Sequence, residues 1–301
     1  MLKKHLPKIL VVCGPTATGK SDLAVLLARQ FDGEIISADS RQVYQGMDLG
    51  SGKITESEMK GVPHHLLDIA NPKKSRYTAE DFKRDGEKAI INILSNDKLP
   101  IICGGTGFYI DTLVEGLSFP QVAPDQKLRA MLAKKTPAQL MAMIRKIDPK
   151  RAKTLDPYNK VRIIRAIEIA KALGSVPKVR RNKRYEVKYI GLTLDASSLR
   201  AKINTRLIKR IKAGMVLEVA RLKNSGVSWK KLEAFGLEYR YIALYLQKKL
   251  TKKETLEKLE SEIVQYARRQ MQWFKRNQNI EWFDPKDVKT IQRQTLSFLS
   301  A

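Results

Sequence analysis

The stretch Gly14-Pro15-Thr16-Ala17-Thr18-Gly19-Lys20-Ser21 fits the pattern G-x-x-x-x-G-K-[ST] at every required position. It follows the apolar run Ile9 to Cys13 and opens the helical pattern Leu23, Leu26, Leu27. Phosphate oxygens need many donors at close range. Glycines let backbone N–H groups approach, the helix N-terminus adds a favourable dipole, Lys20 supplies a point charge and Ser21 a hydroxyl for Mg²⁺. Strand, loop, Lys-Ser pair and amphipathic helix together separate this stretch from a plain strand-to-helix turn. A nucleoside triphosphate, a monophosphate beside a nucleoside substrate and a prenyl diphosphate would each satisfy the loop.

Two further stretches carry chemistry at the same level. Asp39 ends an apolar strand in Ile35-Ile36-Ser37-Ala38-Asp39-Ser40-Arg41-Gln42. Three roles suit it: an acid holding Mg²⁺ through water, a general base for an incoming nucleophile, or a helix N-cap. The run Leu99 to Cys103 ends in Gly104-Gly105-Thr106-Gly107 instead of an acid. A hydrolytic carboxylate therefore has no second candidate, which weighs against ATP hydrolysis. The glycines suit contact with a phosphate or a flat base, and equally a packing role. Arg206 could reach a diphosphate, although a single arginine in so basic a chain is ordinarily solvated. His64 and His65 are adjacent and point different ways, so they read as structural.

The elements that must position these residues follow from hydrophobic periodicity. Strands are expected at Ile9 to Cys13, Glu34 to Ala38 and Leu99 to Cys103, with a capping-box helix from Thr78 to about Ser95. This is a parallel α/β core, in which ligands gather at strand carboxyl ends. From about 118 to 187 the pattern becomes helices, turns and dense positive charge, including a helix starting at Thr136-Pro137, a second carrying Arg162, Ile163, Ile164, Arg165 and Ile167, and a basic loop from Lys178 to Arg184. Tyr189 to Leu194 alternates like a strand rejoining the sheet. Long helices follow, from about Ser197 to Ile211 and from the capping box Thr251 to Glu254, the latter with Leu256, Leu259, Ile263 and Ala267 on one face. It leads into Arg268-Arg269-Gln270-Met271-Gln272-Trp273-Phe274-Lys275-Arg276, whose aromatics read as core. The expected division is a catalytic core of residues 1–117 and 188–301 carrying an inserted lobe of residues 118–187.

Charge says what the lobe is for. The 301 residues hold 57 Lys/Arg against 31 Asp/Glu, a net charge of +26. Between Asp125 and Lys188 there are 19 basic and 5 acidic residues, so a net +14 is concentrated there. Such concentration is the footprint of a polyanionic partner. The two cysteines, Cys13 and Cys103, each end an apolar run before a glycine, with no C-x-x-C pair, which excludes a disulfide framework and a zinc module. Lys3 and Lys4 precede an apolar segment too short for a signal sequence, and no segment approaches a membrane span. The expectation is a cytoplasmic protein.

Taken together the motifs resemble the tRNA dimethylallyltransferase family of P-loop prenyltransferases, in its bacterial form. The matching stretches are Gly14 to Ser21; Ile36 to Tyr44 with Gly46-Met47-Asp48; Pro63-His64-His65-Leu66-Leu67-Asp68; Gly104-Gly105-Thr106-Gly107-Phe108-Tyr109; Arg162 to Glu168; and Tyr266 to Phe274, in family order over nearly the whole chain. The resemblance implies a P-loop NTPase-like parallel sheet flanked by helices, and transfer of the dimethylallyl group of dimethylallyl diphosphate to the N6 amine of the adenine beside the tRNA anticodon. It implies that Asp39 deprotonates the amine, that Thr106 and Arg206 contact the diphosphate, and that Gly14 to Ser21 bind it with Mg²⁺ on Ser21. It further implies tRNA contacts at Asp39, Ser40, Arg41, Gln42, Thr106, Arg129, Val161, Arg162, Ile163, Ile164 and Arg165, with the anticodon stem-loop as partner of a monomer. Gly236-Leu237-Glu238-Tyr239-Arg240 departs from the family's Gly-Tyr-Lys/Arg-Glu, which leaves that segment's role open. The zinc-finger extension of eukaryotic members is absent from the sequence, which implies a smaller RNA footprint. A P-loop kinase of nucleotides or metabolites would explain the loop and Asp39 but not the basic lobe. An RNA-binding regulator would explain the charge but not Asp39.

Overall fold

The computed structural model describes residues 6–74 and 76–301; Lys3 and Lys4 lie outside them. Six parallel strands form one sheet: β1 (Lys8–Cys13), β2 (Gly33–Ser37), β3 (His64–His65), β4 (Leu99–Gly104), β5 (Glu186–Leu192) and β6 (Ile280–Phe283), in the order β3-β2-β4-β1-β5-β6. From Ile9 to Cys13 the central strand β1 is apolar and buried because both its faces are covered. Ile9, Val11 and Cys13 pack with Phe82, Ile90 and Leu113, from the helices Ala79–Ser95 and Gly107–Val114. Leu10 and Val12 face the other way, onto Leu23, Leu27 and Ile291 of Lys20–Gln30 and Val288–Ser300. The architecture is the expected P-loop NTPase-like α/β core.

Several elements depart from their expected bounds. Strand β5 begins at Glu186, earlier than the alternation indicates, and stops at Leu192. Strands β3 and β6 lack a period of their own, having two and four residues, and exist through pairing with β2 and β5. The helix starting at Thr78 has its capping box and ends at Ser95 as expected.

Past β5, five helices, Ala196–Lys212, Met215–Asn224, Trp229–Phe235, Leu237–Leu246 and Lys252–Phe274, bury a second core around Met215, Leu232, Ile242 and Leu259. Glu218, 7% exposed, anchors this bundle to the segment after β2. Its carboxylate accepts the N–H groups of Asp48 (3.0 Å), Leu49 (2.6 Å) and Gly50 (3.0 Å) and the Tyr239 hydroxyl (2.9 Å). Four donors offset the cost of burying the charge.

The chain divides into two compact units, one of residues up to Gly116 together with Lys183–Ala301, the other Leu117–Asn182. The smaller unit holds the helices Gln126–Ala133, Pro137–Ile147, Pro149–Ala152 and Lys160–Leu173 around its own core of Leu132, Leu140, Ile144, Ile163 and Ile167. Among the described residues no helix is long and apolar enough to cross a membrane.

Candidate active site

The loop Gly14 to Ser21 follows β1 and closes on itself. Gly14 (φ 135°) and Gly19 (φ 91°) occupy backbone regions that suit glycine, and a Cβ on Gly14 would stand 2.4 Å from the Leu192 carbonyl oxygen. Thr18 Oγ1 and Lys20 Nζ both donate to the Pro15 carbonyl, at 2.9 and 2.6 Å. Gly19 caps Lys20–Gln30 without a side-chain hydrogen bond, so the first-turn N–H groups stay available to an anion. Burial pushes Lys20 down to about 8, and the nearby Arg206 charge adds to the depression. The Ser21 hydroxyl is on the exposed face.

Asp39 and Thr106 come from the neighbouring strand ends, because β4 lies between β1 and β2. Asp39 Oδ1 accepts from the N–H groups of Arg41 (2.8 Å) and Gln42 (3.4 Å), as a capping residue does. Among the described residues Oδ2 carries no hydrogen bond. Capping and chemistry can thus share one carboxylate. Thr106 Oγ1 accepts the Ser40 N–H at 3.1 Å beside the Tyr266 side chain, while its own N–H donates to the Ala38 carbonyl at 3.1 Å. Burial raises the Tyr266 phenol, keeping it protonated. The glycines before and after Thr106 answer to packing: a Cβ would meet Ala38 O at 2.2 Å from position 104, Gln270 Nε2 at 2.1 Å from 105 and Trp273 Cδ1 at 2.2 Å from 107.

Arg41 and Gln42 are engaged within the unit. Arg41 Nε donates to the Phe235 carbonyl at 2.5 Å, and its Nη1 to the Ser40 carbonyl at 3.1 Å. Gln42 accepts from Ser37 Oγ at 2.9 Å and donates to the Gly52 carbonyl at 3.2 Å. Both are half-buried.

Arg206 lines a small pocket against the phosphate loop with Thr16, Ala17, Arg210 and Glu238. Among the described residues its guanidinium makes no hydrogen bond or salt bridge. Burial lowers it to about 10, with Arg210 as the like charge beside it. A partly desolvated guanidinium beside such a loop has the chemistry to receive an anion. The divergent segment finds its place here: Gly236 (φ 79°) starts the helix Leu237–Leu246, and Glu238 is 8% exposed with an oxygen 3.4 Å from Arg210 Nη1. Burial raises the Glu238 carboxyl. A larger cavity of about 500 Å³, beside Gly46, Asp48, Asn71 and Arg221, contains none of the expected site residues.

The residues named for RNA in the smaller unit divide by burial. Val161, 74% exposed, and Arg162 are on the surface of the first turn of Lys160–Leu173. Ile163 is fully buried in the unit's core and Ile164 packs, half-buried, beside it. Arg129 and Arg165 converge on Glu168, which is 2% exposed. Its carboxylate receives Arg129 Nε and Nη2 at 2.8 Å each, Arg165 Nη1 at 2.6 Å and the Asp125 N–H at 2.7 Å.

Both His64 and His65 are engaged by groups of the protein itself. His65 Nε2 lies 2.7 Å from Glu34 Oε2 and His64 Nδ1 2.8 Å from the Val62 carbonyl. Among the described residues no group of three His, Cys, Asp or Glu side chains could hold a metal. Trp273 and Phe274 pack as expected, Trp273 Nε1 donating to Asp111 Oδ2 at 2.9 Å and Phe274 being 3% exposed. Sequence reasoning missed Arg210, Glu238 and Gln270 as site residues. For Gln270 a signal existed: Ile263, Ala267, Gln270 and Phe274 share the buried helix face, and an amide on an apolar stripe needs partners.

A family model described as IPP transferase matches residues 42–277. A tRNA dimethylallyltransferase of Anoxybacillus flavithermus is 36% identical over 298 residues, covering 97% of this chain and 95% of that protein. A tRNA dimethylallyltransferase 2 of Shewanella sediminis is 43% identical over 269 residues, covering 89% of each. Among solved structures, the full-length tRNA isopentenylpyrophosphate transferase of Bacillus halodurans superposes with a TM-score of 0.75 at 34% identity, covering 97% of both chains. A eukaryotic dimethylallyltransferase acting on tRNA superposes at 0.77 with 24% identity, covering 94% of this chain and 75% of that one, a likeness of fold.

Proposed function

The chain belongs to the IPP transferase family, and from that premise we propose that it transfers a dimethylallyl group from dimethylallyl diphosphate to the exocyclic N6 amine of the adenine 3′-adjacent to the anticodon in tRNAs, releasing diphosphate. The observation that carries the reading is a phosphate loop beside a strand-end carboxylate, Asp39, with Arg206, which has no hydrogen bond or salt bridge among the described residues, across the loop. A kinase reading is not favoured, since relatives over most of the chain are named tRNA dimethylallyltransferases.

The chemistry asks three things of these residues. Nitrogen N6 attacks the allylic carbon, the carbon–oxygen bond breaks, and its electron pair leaves on the diphosphate. Lys20, Arg206 and the N–H groups opening Lys20–Gln30 hold that developing charge. Asp39, its Oδ1 fixed by two backbone donors, orients the amine and takes the proton that N6 must lose. Thr106, held by the Ser40 N–H, contacts the diphosphate from the adjoining loop. An allylic carbon with cation character must be kept from water, and the adenine must first leave its stack.

The donor set suits Mg²⁺ held largely by the substrate. Ser21 offers one exposed hydroxyl that would hold the ion, a hard oxygen donor of the kind Mg²⁺ takes. When bound, the ion would supply further neutralisation of the diphosphate. The anticodon stem-loop is held by Arg129, Val161, Arg162 and Arg165, and the basic excess of the lobe supplies the salt-dependent share of affinity. The enzyme works as a cytoplasmic monomer, which sedimentation of the purified chain tests for oligomeric state.

Incubation with unmodified tRNA and labelled dimethylallyl diphosphate tests the reading. Label on the tRNA, with little ATP turnover, is the expected result. Phosphate release from ATP with no label on RNA would overturn it.

A further inference from the structure

Resting on the reading above, we infer that Gln270 is a positioning residue that sets the distance between the diphosphate and the attacking amine. Its side chain is 5% exposed and spans two loops that the sheet alone does not join. Gln270 Oε1 accepts the Thr16 N–H of the phosphate loop at 2.8 Å. Its Nε2 donates to the Gly105 carbonyl at 2.9 Å. The next residue, Thr106, accepts the Ser40 N–H, and Ser40 is bonded in sequence to Asp39. A continuous path of short contacts thus runs from the leaving-group cradle, through one amide, to the base.

The neighbours of Gln270 on the same helix make that path rigid. One turn earlier Tyr266 lies beside Thr106, and Trp273 packs against Gly107 while donating to Asp111. The approach is so close that a Cβ at Gly105 would stand 2.1 Å from Gln270 Nε2. Only a side chain that both accepts and donates at this reach satisfies the Thr16 N–H and the Gly105 carbonyl at once. Glutamate keeps the acceptor and loses the donor; alanine loses both. In-line transfer depends on near-attack geometry, and a displacement of about 1 Å between the reacting groups costs on the order of 100-fold.

Steady-state transfer by Gln270→Ala and Gln270→Glu, against the wild type in parallel, tests this. Gln270→Ala should lose about 100-fold in kcat while its KM for tRNA stays within about threefold. Gln270→Glu should be similarly impaired at neutral pH. Burial raises a carboxyl, so on acidification its protonated form donates to Gly105 again and the wild-type to mutant ratio should narrow. A ratio for Gln270→Glu that does not move with pH, or a folded Gln270→Ala within about twofold of wild type, overturns the inference. Failure of the wild type to label tRNA would instead overturn the functional reading.

Discussion

Replacing Lys20 by methionine should make the free protein more stable and leave it unable to hold diphosphate. Lys20 falls from an ordinary value of 10.5 to about 8 because burial disfavours its charge and Arg206 repels it. At about 1.4 kcal/mol per tenfold, keeping that charge in the folded state at neutral pH costs roughly 3 kcal/mol. The hydrogen bond to the Pro15 carbonyl offsets about 1.5 to 3 kcal/mol of this. Lys20→Met therefore gains up to about 1.5 kcal/mol. The sign with pH is determinate. Below pH 8 the lysine is charged in both states and the folded state bears the whole cost; between 8 and 10.5 the folded state sheds its proton first, so the advantage of the mutant shrinks. Urea denaturation of both proteins from pH 6 to 10.5 measures the gap. Adding pyrophosphate at about 100 times its Kd should stabilise the wild type by about 2.7 kcal/mol and the mutant hardly at all. A mutant less stable at pH 7 that still responds to pyrophosphate would refute the account of Lys20.

Asp39→Asn keeps an oxygen for the Arg41 and Gln42 N–H groups, so tRNA affinity should stay within about twofold while transfer falls by about 100-fold or more; undiminished single-turnover rates would remove Asp39 as the base. Glu168→Ala should destabilise by about 2 kcal/mol in urea titration, a discounted value because Arg129 and Arg165 are each about a third exposed. Burial alone would raise the Glu168 carboxyl, but the two arginines and the Asp125 N–H hold it below the usual range, so its contribution is present above about pH 4.3 and lost as pH falls further. Cys13 and Cys103 are pushed up to about 12 by burial, so iodoacetamide at pH 8 should label them only after denaturation; mass spectrometry of the native protein checks this. Neutralising Arg180, Arg181 and Lys183 together should flatten the salt dependence of tRNA affinity by about 1 in slope for each phosphate no longer neutralised, and Arg184, paired with Glu87 at 3.4 Å, should add less.

Local chemistry made the phosphate loop, its strand and its helix readable from the chain. Gly14 and Gly19 shape the loop through their backbone conformation and Lys20 and Ser21 open the helix, and such features are written in consecutive residues. The capping boxes at Thr78, Thr136 and Thr251 are legible for the same reason, since donor and acceptor are three residues apart. The two-residue β3 and four-residue β6 are too short to carry a period, and only pairing with neighbours makes them strands. Contacts between distant stretches belong to the tertiary structure alone. Asp39 as an N-cap and Asp39 as a base look identical in sequence; in the fold one oxygen caps while the other has no hydrogen bond among the described residues. Ile163 and Val161 are both apolar at the start of one helix, yet packing buries the first and leaves the second on the surface. Gln270 lies 165 residues from Gly105 and 254 from Thr16, and no periodicity encodes a separation that only the assembled sheet and the returning helix bring within hydrogen-bond reach.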